Sequence, residues 1–134
     1  MEKINVKVGW SGNNYSAVVE NIGGVVLVTH KTLDGIKKDF SESFKFHIDG
    51  CIKDGDELPE YIVKGEYELN FNLEISALLH KLDGIITRAA LARISGINEK
   101  QLGHYMTGHR SPRPAQQQKI ITAIHNIGNE FISV

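Results

Sequence analysis

The sequence predicts an α+β protein in two parts, a β-β-β-α-β domain over residues 1–72 and an all-α domain over residues 73–134. In the first part, short segments alternate apolar and polar residues, which is the period of a strand with one buried face. After Asn72 the apolar residues recur at three- and four-residue steps, which is the period of an amphipathic helix. This second period continues almost to the last residue, so the two parts differ in architecture.

Three strands open the chain. The first alternates polar residues with four apolar ones, which are Ile4, Val6, Val8 and Trp10. Residues 11–14 (SGNN) supply a turn before the alternation resumes at Tyr15, and Gly23-Gly24 marks a second turn. The apolar run over residues 25–29 (VVLVT) predicts a central strand that is covered on both faces. We therefore expect three antiparallel strands.

One amphipathic helix and a fourth strand follow. Thr32 is a suitable N-cap, and Asp34 lies in the first turn, where a negative charge suits the helix dipole. The apolar period continues to Ile48, so we expect the helix to end near Gly50. Residues 53–59 (KDGDELP) predict a loop, and residues 66–72 (EYELNFN) alternate again as a strand. A helix laid across one face of a small sheet buries both apolar surfaces, which is an α+β arrangement.

Four short helices are predicted in the second part. Their apolar stripes are Ile75, Leu78, Leu79 and Leu82; then Ala89, Leu91 and Ala92; then Leu102, Tyr105 and Met106; then Ile120, Ile121, Ile124 and Ile127. Glycines stand at or just past the stripes, where we expect the left-handed conformation to end each helix; they are Gly84, Gly96, Gly108 and Gly128.

Charge is distributed unevenly, although the net charge of the chain is only −1. Residues 1–72 carry 8 Lys/Arg against 12 Asp/Glu, a balance of −4, whereas residues 73–134 carry 7 against 4, a balance of +3. Between Gly84 and Lys119 there are six Lys/Arg and one carboxylate, that of Glu99. A local basic zone is typical of a surface that binds phosphate, and an ordinary solvated face is the alternative.

Catalytic, metal-binding and membrane functions are not expected. The carboxylates of the helix after Thr32 fall on the polar face of that helix, and the six histidines are not spaced as metal ligands are. No glycine-rich phosphate loop follows a strand. The single cysteine, Cys51, excludes an internal disulfide, and we expect a small core residue rather than a reactive thiol. No apolar stretch reaches the length of about 20 residues that a membrane helix needs, and no secretory signal opens the chain. We expect a cytoplasmic protein that has no cofactor and is not an enzyme.

Residues 87–108 (TRAALARISGINEKQLGHYMTG) predict two helices that cross closely at a tight turn. Ala89 and Ala92 place small residues at the crossing, and Gly96 supplies the positive φ of the reversal. Ile97 is expected in the core, and Asn98 is expected to cap the next helix. The outer face of that helix is then formed by Glu99, Lys100, Gly103, His104 and Thr107. Such a face fits the major groove of DNA.

This segment resembles the Xre/Cro-type helix-turn-helix family. The matching positions are Leu91-Ala92, Gly96, Ile97, Asn98, Leu102 and Gly108, with continuation through Arg110-Ser111-Pro112, so that the resemblance covers roughly Leu73 to Gly128. It implies that Glu99, Lys100 and His104 contact bases of double-stranded DNA. It also implies that phosphates or the groove wall are contacted by Arg88, Asn98, Thr107, His109 and Arg110. A helix-turn-helix fold reused to bind a protein is the alternative.

The whole order of elements resembles the HicB family of antitoxins. The matching features are a first strand ending near Trp10, the second strand Tyr15-Ser16-Ala17-Val18, a glycine turn, a third strand, and a helix after Thr32. The resemblance implies a partial RNase H-like fold in residues 1–72. It also implies that this half neutralises a small basic ribonuclease toxin of the HicA type, and that the other half represses the shared promoter.

A stand-alone transcriptional regulator, whose first half binds a metabolite or dimerises, is the competing interpretation. The acidic first half favours the antitoxin, because a ribonuclease is itself basic and opposite charge speeds the encounter. Under either interpretation we expect a homodimer or a larger assembly. Two-fold pairs of helix-turn-helix units match palindromic operators whose half-sites lie about 34 Å apart.

Overall fold

The computed structural model describes all 134 residues, which form one four-stranded mixed sheet and six helices. The protein therefore has an α+β fold. The chain divides into two compact units, the N-terminal unit Met1–Glu74 and the C-terminal unit Ile75–Val134. None of the six helices combines the length and the apolar character needed to cross a membrane.

The N-terminal unit contains the whole sheet. Its elements are β1 (Glu2–Trp10), β2 (Tyr15–Val19), β3 (Val26–His30), α1 (Leu33–Lys53), α2 (Glu60–Val63) and β4 (Tyr67–Leu73). The strand order is β3-β2-β1-β4, and the pairs β1–β2 and β2–β3 are antiparallel, as the sequence predicts. β4 instead lies parallel to β1, with Glu2 opposite Tyr67 and Val8 opposite Leu73. A parallel neighbour needs a long crossover connection, which α1 and α2 supply.

α1 covers one face of the sheet. It begins where the Thr32 hydroxyl accepts a hydrogen bond from the Gly35 N–H at 3.0 Å, so the predicted N-cap is confirmed. Its apolar stripe is buried and consists of Ile36, Phe40, Phe44, Ile48 and Cys51. Two edge-to-face contacts join it to β4, Phe40 to Phe71 at 5.9 Å and Phe44 to Tyr67 at 5.5 Å between ring centroids. The opposite face, here called the open face, carries exposed polar residues of β1 and β4 such as Lys3, Asn5 and Asn70.

Two predictions for this unit are wrong, and one short helix was not predicted. β3 is an edge strand and not a central one, and Val25 and Leu27 are 61% and 62% exposed. An apolar run cannot reveal that its strand has a neighbour on one side only. α1 continues past Gly50 to Lys53, since Cys51 extends its buried stripe beyond the glycine. The short helix α2 was not predicted, although it places Ile62 in the core at 2% exposure.

The C-terminal unit contains only helices. They are α3 (Ile75–Leu82), α4 (Arg88–Ser95), α5 (Glu99–Thr107) and α6 (Pro114–Ile132). Proline at the first position of α6 suits the start of a helix, because its missing N–H would have no partner there. One core joins all four helices and contains Ile75, Leu79, Leu91, Ile97, Leu102, Tyr105, Ile120 and Ala123.

Two of the four predicted glycine caps are confirmed. Gly96 ends α4 with φ 75° and Gly108 ends α5 with φ 78°. Gly84 and Gly128 do not have positive φ, and Gly128 lies inside α6, so the predicted caps at these positions are wrong. Ala89 is exposed and takes no part in the core, so its predicted place at a helix crossing is also wrong; Ala92 does pack against the core.

Candidate nucleic-acid interface

α4 and α5 are joined by only three residues, and local hydrogen bonds fix the ends of both helices. The Thr87 hydroxyl accepts a hydrogen bond from the Ala90 N–H at 3.1 Å and starts α4. After Gly96 reverses the chain, the Asn98 side-chain oxygen accepts one from the Gln101 N–H at 2.7 Å and starts α5, as predicted. Ile97, between the two, is 4% exposed and lies in the core, which is also confirmed.

α5 buries one face and exposes the other. Leu102 and Tyr105 are buried on the inner side, where the Gln101 side-chain N–H donates to the Tyr105 hydroxyl at 2.9 Å. Glu99, Lys100 and Thr107 are exposed on the outer side. The burial of Leu102 and Tyr105 in the core fixes the rotation of α5 about its axis, and thereby determines which side chains it presents to solvent.

Gly103 does not lie on the outer surface, contrary to the prediction. It is buried, and a Cβ added there would lie 2.8 Å from Nη1 of Arg88. The guanidinium group of Arg88 therefore covers α5 at this position. Nε of Arg88 is also 3.8 Å from Oδ1 of Asp83, in an exposed ion pair. The glycine thus allows an arginine of α4 to lie across the surface of α5.

A second group of basic side chains lies along α5 and the loop that follows it. Gly108 turns the chain back, and the Arg110 N–H donates to the carbonyl oxygen of His104 at 3.2 Å. This hydrogen bond holds the loop against the helix, where the His104 and His109 ring centroids are 4.8 Å apart. We call Lys100, His104, His109 and Arg110 the basic cluster.

His104 is the chemically unusual member of the basic cluster. The residue is half-buried, and its Nδ1 atom is buried with no hydrogen-bond partner. Burial lowers the pKa of this imidazole, and the positive charges of His109, Arg110 and Lys100 lower the pKa further. Both effects favour the neutral imidazole in the free protein. An anion placed at the cluster would reverse the electrostatic part of this effect.

The eight predicted site residues differ in solvent exposure and in the hydrogen bonds that their side chains make. Seven are exposed, namely Arg88, Asn98, Glu99, Lys100, Thr107, His109 and Arg110, and His104 is half-buried. The oxygen of Asn98 is occupied by the cap, and the Thr107 hydroxyl donates to the His104 carbonyl oxygen at 3.3 Å. The structure brings four of the eight into the basic cluster. Glu99 lies in the first turn of α5, outside that cluster.

The apolar pattern of the sequence does not indicate the roles of two residues of this surface, Asp83 and Gly103. Asp83 was not predicted to orient Arg88, because it precedes α4 by five positions in an irregular segment. Gly103 was assigned to the outer face by its helical position, although a glycine inside a short helix is itself a signal of close approach. That signal was available and would have indicated a neighbour.

The N-terminal unit holds a second set of polar side chains, around Cys51. This free thiol is 5% exposed, so the predicted core position is confirmed. Burial and the negative charges of Asp56 and Asp54 raise its pKa, which disfavours the thiolate. Nε2 of His47 is 3.6 Å from the sulfur and 2.7 Å from the carbonyl oxygen of Ile22. These contacts attach the turn after β2 to α1.

α5 and the segments beside it thus expose mainly cations and hydrogen-bond donors. No group of three or more His, Cys, Asp or Glu side chains is placed to hold a metal ion. Comparison of the chain with protein-family models, with curated proteins and with solved structures finds no match.

Proposed function

We propose that the C-terminal unit binds double-stranded DNA as a helix-turn-helix domain, with α5 in the major groove. The observation that carries this proposal is the outer surface of α5, which is flanked by Arg88 on one side and ends in the basic cluster. Cations at both places suit the phosphates on either side of a groove. α5 is capped at both ends and packs on a core, so it is rigid enough to hold its outer side chains in fixed positions against base edges.

Two roles are assigned to the predicted residues. Glu99, Lys100 and His104 contact base edges, because they lie along the exposed side of α5 from its first turn onwards. The phosphates or the groove wall are contacted by Arg88, Asn98, Thr107, His109 and Arg110. Phosphate contacts position the protein, and base contacts supply the sequence preference. The protein acts as a homodimer or a larger assembly on a palindromic operator.

We infer further that the protein is a HicB-type antitoxin. The N-terminal unit carries the excess of negative charge, which favours a small basic ribonuclease toxin as its partner. The DNA-binding unit then represses the promoter that the two proteins share. No step of this function requires catalysis by the chain itself.

Titration of promoter DNA tests the proposed interface. The duplex comes from upstream of the chain's own reading frame, and a scrambled duplex of equal length serves as the comparison. Lys100→Ala and His104→Ala are expected to reduce the preference for the promoter over the scrambled duplex. Arg88→Ala is expected to weaken binding to both duplexes alike. It should also reduce the slope of log affinity against log salt concentration by about one unit.

The matched control is Lys119→Ala, which removes an exposed positive charge from α6 rather than from α5. It should leave the preference for the promoter unchanged. If all four variants lost the same amount of DNA affinity, only net charge would matter, and the assigned roles would be refuted. The antitoxin part is tested by co-expression with the neighbouring reading frame: failure to co-purify a small basic protein would refute that part alone.

A further inference from the structure

The first half of β1 lacks a strand partner on one side. β1 pairs with β4 from Glu2 to Val8, but it pairs with β2 only from Lys7 to Trp10. The earlier residues of β1 therefore face a gap at the place where a longer β2 would lie. This gap is a cavity of about 390 Å³, and its lining includes Lys3, Asn5, Lys7, Glu20 and Tyr61.

The backbone of β1 directs hydrogen-bonding groups into this gap. The carbonyl oxygen of Val8 accepts from the Glu74 N–H at 2.7 Å, so the even-numbered residues of β1 face β4. The Ser11 N–H donates to the Asn14 carbonyl oxygen at 2.8 Å, which extends the ladder with β2 and shows that odd-numbered residues face that side. Lys3 and Asn5 thus each direct one N–H and one C=O into the gap.

The turn after β2 keeps the gap open. Asn21 and Gly23 adopt φ values of 68° and 67°, which turn the chain away from β1. His47 contacts the Ile22 carbonyl oxygen, and a Cβ added at Gly23 would lie 2.7 Å from the sulfur of Cys51. Because both contacts come from α1, the turn is fixed to the helix, and β2 cannot lengthen to fill the gap.

We propose that this gap binds an extended peptide segment of a partner protein, which pairs with Lys3 and Asn5 of β1. An extended backbone offers alternating donors and acceptors, and so matches two N–H and two C=O groups. A small anion would use the N–H groups alone. The part of β1 that lacks a partner on the β2 side, Glu2 to Val6, is long enough for four or five residues of such a segment.

The side chains that border the gap define the sequence of this segment. On the open face they include two lysines, Lys3 and Lys7, against one carboxylate, Glu20, which favours acidic residues there. On the other face the segment would meet Ile4 and Tyr61, which favours apolar residues. Because successive residues of a strand point to opposite faces, the segment alternates acidic and apolar residues. This site lies in the N-terminal unit and does not depend on the proposed DNA binding.

Selection from a displayed library of random heptapeptides on the full-length protein tests the proposal. Binders with alternating acidic and apolar residues are expected. Asn5→Pro removes an N–H that faces the gap and none that bonds to β4, so the sheet should persist. Loss of this hydrogen bond is expected to weaken a selected peptide about tenfold. Asn5→Ala is the matched control, because it removes the amide that bonds to Asn70 but keeps the N–H, and it should retain most of the affinity that Asn5→Pro loses.

A second measurement needs no altered protein. N-methylation of the selected peptide at alternate backbone nitrogens should abolish binding for one set of positions and spare the other set, because only one set faces β1. The proposal is overturned if no peptide is enriched. It is overturned equally if Asn5→Pro and Asn5→Ala bind alike, or if methylation is tolerated at every position.

Discussion

Lowering the pH is expected to strengthen DNA binding through His104. In the free protein, burial and the charges of His109, Arg110 and Lys100 lower the pKa of His104 below its ordinary value of 6.5. A DNA phosphate beside the basic cluster would supply a negative charge and a strong acceptor, both of which favour the protonated imidazole. DNA binding should therefore take up a proton, and by linkage the affinity rises as the pH falls.

The size of the effect follows from the number of protons. Each unit by which phosphate raises the pKa of His104 corresponds to a factor of about ten in affinity at low pH. Uptake of one proton gives a slope approaching minus one in a plot of log affinity against pH, over the range in which imidazole titrates.

Calorimetric titration of a DNA duplex in two buffers of different ionisation enthalpy counts the protons directly. His104→Gln is expected to abolish the uptake. His125→Gln is the matched control, because it removes an exposed histidine from α6. DNA affinity that does not change with pH would refute the linkage and leave the interface intact. Absence of DNA binding at every pH would refute the interface itself.

The stability of the free protein should change with pH in the opposite sense. The pKa of His104 is lower in the folded protein than its ordinary value of 6.5, so the unfolded chain binds more protons below that pH. This group therefore lowers the free energy of unfolding as the pH falls below 6.5, while the same protonation strengthens DNA binding. Thermal unfolding with and without DNA separates the two trends.

Three glycine substitutions test the packing. Gly35→Ala should destabilise the protein, because its Cβ would overlap the His30 ring, whereas Gly50→Ala, with no atom within 4 Å, should stabilise the same helix by about 1 kcal/mol. Urea denaturation measures both, and changes of the same sign would contradict this contrast. Gly103→Ala should change stability by less than about 1 kcal/mol, because its Cβ meets only the end of the Arg88 side chain, which can shift to make room. It should nevertheless weaken DNA binding on all sequences, and an unchanged affinity would show that the position of Arg88 is unimportant.

Features that depend on residues adjacent in sequence were predictable. The caps at Thr32 and Asn98 and the reversal at Gly96 each rest on a bond or a dihedral angle within a few residues. The edge position of β3 was not predictable in this way, because strand order depends on β4 pairing with β1 across 65 residues of chain. The same limit applies to Gly128, whose helical context is set by the length of α6 and not by the glycine.

The candidate interface was predictable as a set of residues but not as an arrangement. The period of the apolar stripe indicates which side of α5 is exposed, and most of the assigned residues do lie in solvent. The contact between His104 and His109 arises from the backbone bond of Arg110 to the helix, which no periodicity reports. The gap beside β1 likewise depends on where β2 stops relative to a distant strand.

The ion pair between Arg88 and Asp83 bears on whether this arginine can bind a phosphate. Both side chains are nearly half-exposed and 3.8 Å apart, so the pair contributes no more than about 1 kcal/mol. A phosphate can therefore displace Asp83 at small cost, and a bidentate contact with the guanidinium would more than offset it. Before DNA arrives, Asp83 and Gly103 together restrict the side chain to the surface of α5, which reduces the conformational entropy lost on binding. The acidic neighbour thus positions the proposed phosphate ligand and does not exclude it from that role.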